Sequence, residues 1–184
     1  MQTNPTPIRR TMKRWETPGQ ARYLTFSCYR RLPLFHSDKI KDAFAERLAK
    51  VVDELEFDLY AWVIMPEHVH LLLLADPQRL MVKQITHRLK SRFAQNVIAR
   101  WRELDAPILA RITTPKGAFR FWQDGGGYDR NIVTPRRIVQ KIQYIHNNPV
   151  ARNLVRRPTD WRWSSARWYE GDRESGPRIA DPTW

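Results

Sequence analysis

The chain is short of cysteine, of acid and of long apolar runs. Cys28 is the one cysteine among 184 residues. That excludes an internal disulfide and a zinc site built on paired cysteines, and it leaves a zinc deaminase poorly supported. No apolar stretch approaches the ~20 residues that cross a bilayer. The basic N-terminus lacks the apolar run of a signal peptide. A cytoplasmic location is expected. No segment repeats. Asp and Glu number 19 against 32 Lys and Arg, a net charge of +13.

Such an excess points to a polyanion as partner, and nucleic acid is the commonest. A ribosome-associated or merely solubilising surface is the alternative. The positive charge is clustered. Arg79, Lys83, Arg88, Lys90, Arg92, Arg100 and Arg102 follow one another with no acid between them. So do Arg130, Arg136, Arg137, Lys141, Arg152, Arg156 and Arg157. Solvated helix faces usually mix signs, so single-sign runs favour phosphate. Arg88, Lys90, Arg92, Arg136, Arg137, Lys141, Arg152, Arg156 and Arg157 are the candidate DNA contacts.

A hydrophobic content of 42% over this length suits one domain with extensions. Residues 1–20, with three prolines and Arg9, Arg10, Lys13 and Arg14, read as a flexible basic arm. Residues 21–150 read as the main domain and 151–184 as a basic, aromatic tail. Within the domain the periodicity alternates. Residues 21–29 are aromatic and β-rich. Ile40, Phe44, Leu48, Val51, Val52 and Leu55 are spaced for a helix, with Ser37 or Asp38 before it. Residues 57–64 and 68–74 read as strands around a Met65-Pro66-Glu67 break, close enough to pair as a hairpin. Ile85, Leu89, Phe93, Val97 and Trp101 step by four, a helix over 79–101. A loop is expected at 102–118, a short strand at 119–123 and a flexible joint at Gly125–Gly127. Thr134 and Pro135 open a last helix, which Pro149 is expected to close. Strand, helix, strand, strand, helix, strand is the order of an α+β, ferredoxin-like split βαβ fold. It predicts a central antiparallel sheet, helices on one face and an extra C-terminal helix.

Two groups of residues carry possible chemistry. Strand alternation sends His68 and His70 to one face and Val69 and Leu71 to the other. Two imidazoles at that spacing can hold one divalent metal. They open a strand of four leucines, where they need polar partners. On the last helix, Ile138, Val139, Ile142 and Ile145 form an apolar stripe. Tyr144 falls nearly opposite, beside Arg137, Gln140, Lys141 and Asn148. It is either a nucleophile or a surface tyrosine lying along a neighbour. A phenol with a pKa near 10 is a poor nucleophile at neutral pH, and a nearby metal would help it ionise. Asn148, one turn on, offers an amide oxygen. Such a nitrogen and oxygen set suits Mg²⁺ or Mn²⁺. Asp124 and Asp129 flank the glycines and could also reach that metal. In the tail, Trp161, Trp163, Trp168 and Tyr169 alternate with Arg162 and Arg167. They could stack on unpaired bases, Trp168 first among them, or pin the tail to the core. His36 reads as a loop residue, His87 as a possible phosphate contact and His146 as a packed or capping group.

Met65-Pro66-Glu67-His68-Val69-His70-Leu71-Leu72 resembles the MPNHVHLL segment of the REP-associated tyrosine transposases, within the HUH endonuclease superfamily. Tyr144-Ile145-His146-Asn147-Asn148-Pro149-Val150 resembles their YIHxNPV block. Phe121-Trp122-Gln123, Leu89-Lys90 and Trp163-Ser164-Ser165 fall in similar segments, so the likeness runs over roughly residues 20–170. Glu67 stands where asparagine is more usual. The resemblance implies a ferredoxin-like fold and a metal held by His68 and His70, with Asn148 at the third-ligand position. It implies Tyr144 as a nucleophile that forms a 5′-phosphotyrosine link to single-stranded DNA near REP hairpins. A bacterial, nucleoid-associated monomer or homodimer would follow. Two other readings stand beside this one. One is a noncatalytic hairpin-binding protein on the same fold. The other is a metal hydrolase that uses activated water.

Overall fold

The computed structural model describes residues 17–125, 127–174 and 176–182. Most of the expected basic arm, residues 1–16, lies outside the described residues. Strands β1 (Ala21–Ser27), β2 (Asp58–Ile64), β3 (His68–Leu74) and β4 (Tyr128–Ile132) form one antiparallel sheet in the order β2-β3-β1-β4. Helix α1 (Asp38–Leu55) connects β1 to β2, and α2 (Val82–Glu103) with a short α3 (Ile108–Ile112) leads from β3 towards β4. Helix α4 (Pro135–Ala151) follows the sheet, and a four-residue α5 (Ala166–Tyr169) lies in the tail. This is the expected ferredoxin-like α+β arrangement, with β1 and β3 side by side at its centre. Among the described residues no helix is long and apolar enough to cross a membrane.

The pleat assigns each face its cover. Leu24 and Phe26 of β1 and Val69, Leu71 and Leu73 of β3 point to one side. There they meet Phe44, Leu48, Val51 and Val52 of α1 and Ile85, Leu89 and Phe93 of α2. On the other side Ala21, Tyr23, Ala61, Val63 and Leu72 receive Ile138, Ile142 and Ile145 of α4. The amphipathic stripe of α4 is thus what lays that helix on the sheet, with its polar side turned out.

Four details depart from the sequence reading. The fourth strand is β4, not residues 119–123. Trp122 only bridges Cys28, and β4 resumes the same edge where Tyr128 faces Thr25. Five residues between Trp122 and Tyr128 thus pass two between Cys28 and Thr25, a bulge that Gly125 and Gly127, both at positive φ, accommodate. Gly127 has φ +71°, and a Cβ there would lie 2.0 Å from the Thr25 carbonyl oxygen, so only glycine fits. β4 escapes apolar patterning because its inward residue, Asp129, is a carboxylate. Arg22 neutralises it with donors at 2.9 and 2.5 Å. Gly125 and Gly127 therefore shape a sheet edge. Secondly, α3 forms inside the expected loop, where Ile112 is buried. Thirdly, α4 continues past Pro149 to Ala151. The proline sits in the last turn, so few backbone bonds remain to be lost.

Lastly, the tail is part of the sheet's outer edge. The Ile64 amide donates to Trp163 O at 2.9 Å, Ser165 N to Trp62 O at 3.0 Å and Ala180 N to Leu59 O at 2.9 Å. The Trp161 indole donates to Ile64 O at 2.9 Å and the Trp163 indole to Asp42 at 2.8 Å. Covering β2 in this way satisfies an otherwise open strand edge.

Candidate active site

The site lies between the β1–β3 face and α4. Antiparallel pairing sets Thr25 opposite His70 and Ser27 opposite His68. A cleft of about 450 Å³ is lined by Thr25, Ser27, Arg31, His68, His70, Tyr144, Asn147, Asn148, Ala151 and Arg152. Two histidines from a strand and a phenol and amide from a helix therefore converge, although 76 positions separate His68 from Tyr144 (144 − 68).

The histidine pair is built rather than incidental. The Nε2 atoms of His68 and His70 are 2.9 Å apart. Their outer nitrogens are engaged behind them. His70 Nδ1 lies 2.8 Å from the Tyr23 hydroxyl and 2.7 Å from the Thr25 hydroxyl. His68 Nδ1 lies 3.1 Å from a Glu67 carboxylate oxygen. Burial, with the nearby His68 and Lys141, pushes the His70 imidazole down to about 3. Burial also lowers His68, though Glu67 opposes it. Both shifts favour the neutral imidazole, the form that binds metal.

This donor set fits a divalent ion. Ligands ~2.1 Å from one ion and at right angles to each other lie ~3 Å apart, close to the observed nitrogen spacing. Each imidazole has an outer partner of the kind that orients metal ligands. The Tyr23 and Thr25 hydroxyls can donate or accept, so either His70 tautomer is accommodated. The Asn148 amide stands in the same cleft. No group of three or more His, Cys, Asp or Glu that could hold a metal is found among the described residues; the Asn148 side chain offers an oxygen of another type. Asp124 and Asp129 do not serve. Asp124 pairs with Arg120 on the surface, and Asp129 is locked to Arg22 on the far side of the sheet.

Tyr144 is 51% exposed and lies with its ring edge-on to His70, 5.9 Å between centroids, and to Tyr23, at 6.2 Å. Lys141, one turn earlier, holds its ammonium 4.4 Å from the Tyr144 centroid and 4.2 Å from that of Tyr23. Burial, and then Arg130, lowers the Lys141 pKa. Tyr23 is buried, and burial drives its phenol well above the ordinary range.

The candidate DNA contacts divide by face. Arg152 lines the cleft, Lys141 touches the site tyrosines, and Arg136 and Arg137 are exposed in the first turn of α4. Arg156 and Arg157 are exposed just beyond α4, with Arg157 paired to Asp160 at 2.8 Å. Arg88, Lys90 and Arg92 do not border the cleft. They ride on α2, which covers the opposite face of the sheet. Trp168 is only 8% exposed, packs in the core and carries Arg173 over its ring at 4.2 Å. It has no free face for a base, so its role is packing. His146 is likewise buried, 2.8 Å from the Ser165 hydroxyl. Sequence reasoning did not single out Tyr23, Thr25, Ser27, Arg31 or Asn147. The period of two in β1, combined with the β1–β3 adjacency of this fold, would have placed Tyr23, Thr25 and Ser27 beside the histidines. Arg31, at φ +53° in the turn after β1, left no comparable signal.

Comparison with known proteins agrees with this architecture. The family model described as "Transposase IS200 like" matches residues 20–148. No curated protein matches the chain by sequence. A REP-associated tyrosine transposase solved bound to a REP hairpin is 18% identical, superposes with a TM-score of 0.65, and the match covers 92% of this chain and 98% of that one. A Deinococcus radiodurans R1 protein described as a transposase is 22% identical over 74% of this chain and 97% of its own, with a TM-score of 0.46. The family match spans every strand of the sheet, both histidines and α4 as far as Asn148. The chain belongs to the IS200-like transposase family.

Proposed function

We propose that the protein cuts and rejoins single-stranded DNA at hairpins of the REP type, with Tyr144 as nucleophile and His68, His70 and Asn148 as holders of Mg²⁺ or Mn²⁺. The observation that carries this is the convergence of the paired imidazoles and Tyr144 in one cleft. The ion, when bound, would polarise a phosphate oxygen and favour the ionised phenol. Membership in a transposase family supports the reaction class, and the hairpin bound to the REP-associated transposase suggests the substrate.

The residues divide the work. Tyr23, Thr25 and Glu67 orient the imidazoles so that both Nε2 atoms face the cleft. Arg31 and Arg152 border it and can hold phosphate oxygens. Lys141 sets positive charge beside the Tyr144 ring. In the step itself the phenolic oxygen forms a bond to phosphorus and the phosphorus–O3′ bond breaks. The phenol gives up its proton, and the leaving oxygen gains one to become a free 3′-hydroxyl. The 5′-phosphotyrosine keeps the bond energy, so a second 3′-hydroxyl can displace Tyr144 without ATP.

The test is incubation of labelled hairpin DNA with Mn²⁺ or Mg²⁺ beside the Tyr144→Phe protein, resolved on a denaturing gel. A covalent protein–DNA band is expected with the intact tyrosine alone. Cleavage without a covalent band would favour a metal hydrolase. Hairpin binding with neither would favour a noncatalytic binding protein.

A further inference from the structure

Glu67 occupies the last position of the β2–β3 break. Its carboxylate is nearly buried, yet it lies between two groups that the chain brings from far apart. The same oxygen, Oε1, is 3.1 Å from His68 Nδ1 and accepts from Arg152 Nη1 at 2.8 Å. Arg152 caps the C-terminus of α4, one turn after Asn148 and two turns after Tyr144. The Glu67 main chain is held as well, since its carbonyl accepts from the Cys28 amide at 2.8 Å. One carboxylate oxygen thus touches both the strand that carries the imidazoles and the helix that carries the phenol.

We propose that Glu67 is a positioning residue that couples the histidine pair to the tyrosine helix, an inference that rests on the metal-dependent reading above. Towards His68 it acts as an acceptor. It fixes the tautomer with hydrogen on Nδ1 and leaves the Nε2 lone pair facing the cleft. Towards Arg152 it acts as a counter-charge. It draws the end of α4 onto the sheet, which keeps Asn148 and Tyr144 over the imidazoles. The asparagine more usual in the resembling motif could accept from His68 but could not form an ion pair with Arg152. The second function is therefore a property of glutamate at this position.

The two halves separate experimentally. Histidine ring ¹⁵N spectra of the full chain, recorded without metal, report the His68 tautomer. Electron paramagnetic resonance with Mn²⁺ as probe reports affinity. Hydrogen exchange at the last turn of α4 reports how firmly that helix is held. In the wild type His68 is expected as the Nδ1–H tautomer. Glu67→Ala should shift it towards Nε2–H and weaken Mn²⁺ binding roughly 10- to 100-fold. Glu67→Gln, of the same shape, should restore the tautomer and most of the affinity while leaving α4 exchanging faster. Arg152→Ala should speed that exchange with the His68 tautomer unchanged.

An unaltered tautomer and unaltered Mn²⁺ affinity in Glu67→Ala would overturn the inference. So would unaltered α4 exchange in both Glu67→Gln and Arg152→Ala. A different pattern would defeat the metal reading alone. There the wild type binds no Mn²⁺, while the tautomer and exchange shifts appear as expected.

Discussion

The two faces of the sheet use the same strands to opposite ends. Facing α1 and α2, the odd-numbered β3 residues Val69, Leu71 and Leu73 are buried among Phe26, Phe35, Phe44, Phe93, Phe121 and Trp122, whose rings touch edge to face, tilted or stacked. Facing α4, His68 and His70 meet hydroxyls, a carboxylate and a half-exposed phenol. The apolar face is closed by shape, and the polar face is organised by hydrogen bonds around an open cleft. A dense core on one side holds β3 rigid, and rigidity there keeps the nitrogens of the other side 2.9 Å apart. Stability and chemistry are thereby separated by the pleat, one residue at a time.

The strongest way to break this contrast is to exchange damage between the faces. On the polar face, His70→Ala should abolish metal-dependent cleavage, a loss of at least ~10³-fold, because no other group supplies its nitrogen. Its unfolding free energy in urea should change far less than that of a core variant. Phe44→Ala on the closed face should cost about 3–5 kcal/mol in the same urea titration, since a fully buried ring leaves a cavity. Folded Phe44→Ala protein should still cleave. Equal stability losses in the two variants would erase the distinction.

The faces were not equally legible in the sequence. Helical spacing of Phe44, Leu48, Val51 and Val52 announced the closed core, and the alternation at His68 and His70 announced the site. The off-stripe position of Tyr144 was visible on the helical wheel alone. β4 was hidden because its residue facing α1 and α2 is Asp129, whose partner Arg22 lies 107 positions away and cannot be found by periodicity. Trp168 looked like a DNA contact because pattern alone does not tell an indole that stacks on a base from one that seals a core. The α2 and α4 cations read alike as candidate DNA contacts because charge runs carry no information about which face a helix covers.

Those cations give a sharper comparison. If DNA lies along α4, replacing Arg136, Arg137 and Arg152 by alanine should lower the slope of log affinity against log salt by about 1 each. Arg88→Ala and Arg92→Ala on α2 should leave the slope nearer its original value. The reverse order would put the strand on the closed side.

The smallest expected effect concerns His146, which burial lowers to about 4. An unfolded histidine titrates near 6.5. The unfolded chain thus binds the extra proton first as pH falls. Stability from the neutral ring is fully present above ~6.5 and is lost progressively towards ~4, on the order of 1.4 kcal/mol per pH unit at most. His146→Gln, which can still bond Ser165, should flatten thermal melting across that window relative to wild type.

Three tyrosines compete for the role of nucleophile, since the Tyr23 ring contacts both Tyr128 and Tyr144. Mass spectrometry of the trypsin-digested covalent complex decides among them. A 5′-linked nucleotide is expected on the peptide Ile142–Arg152, attached at Tyr144. An adduct on Tyr23 or Tyr128, or cleaved DNA with no adduct on any tyrosine, would contradict that role for Tyr144.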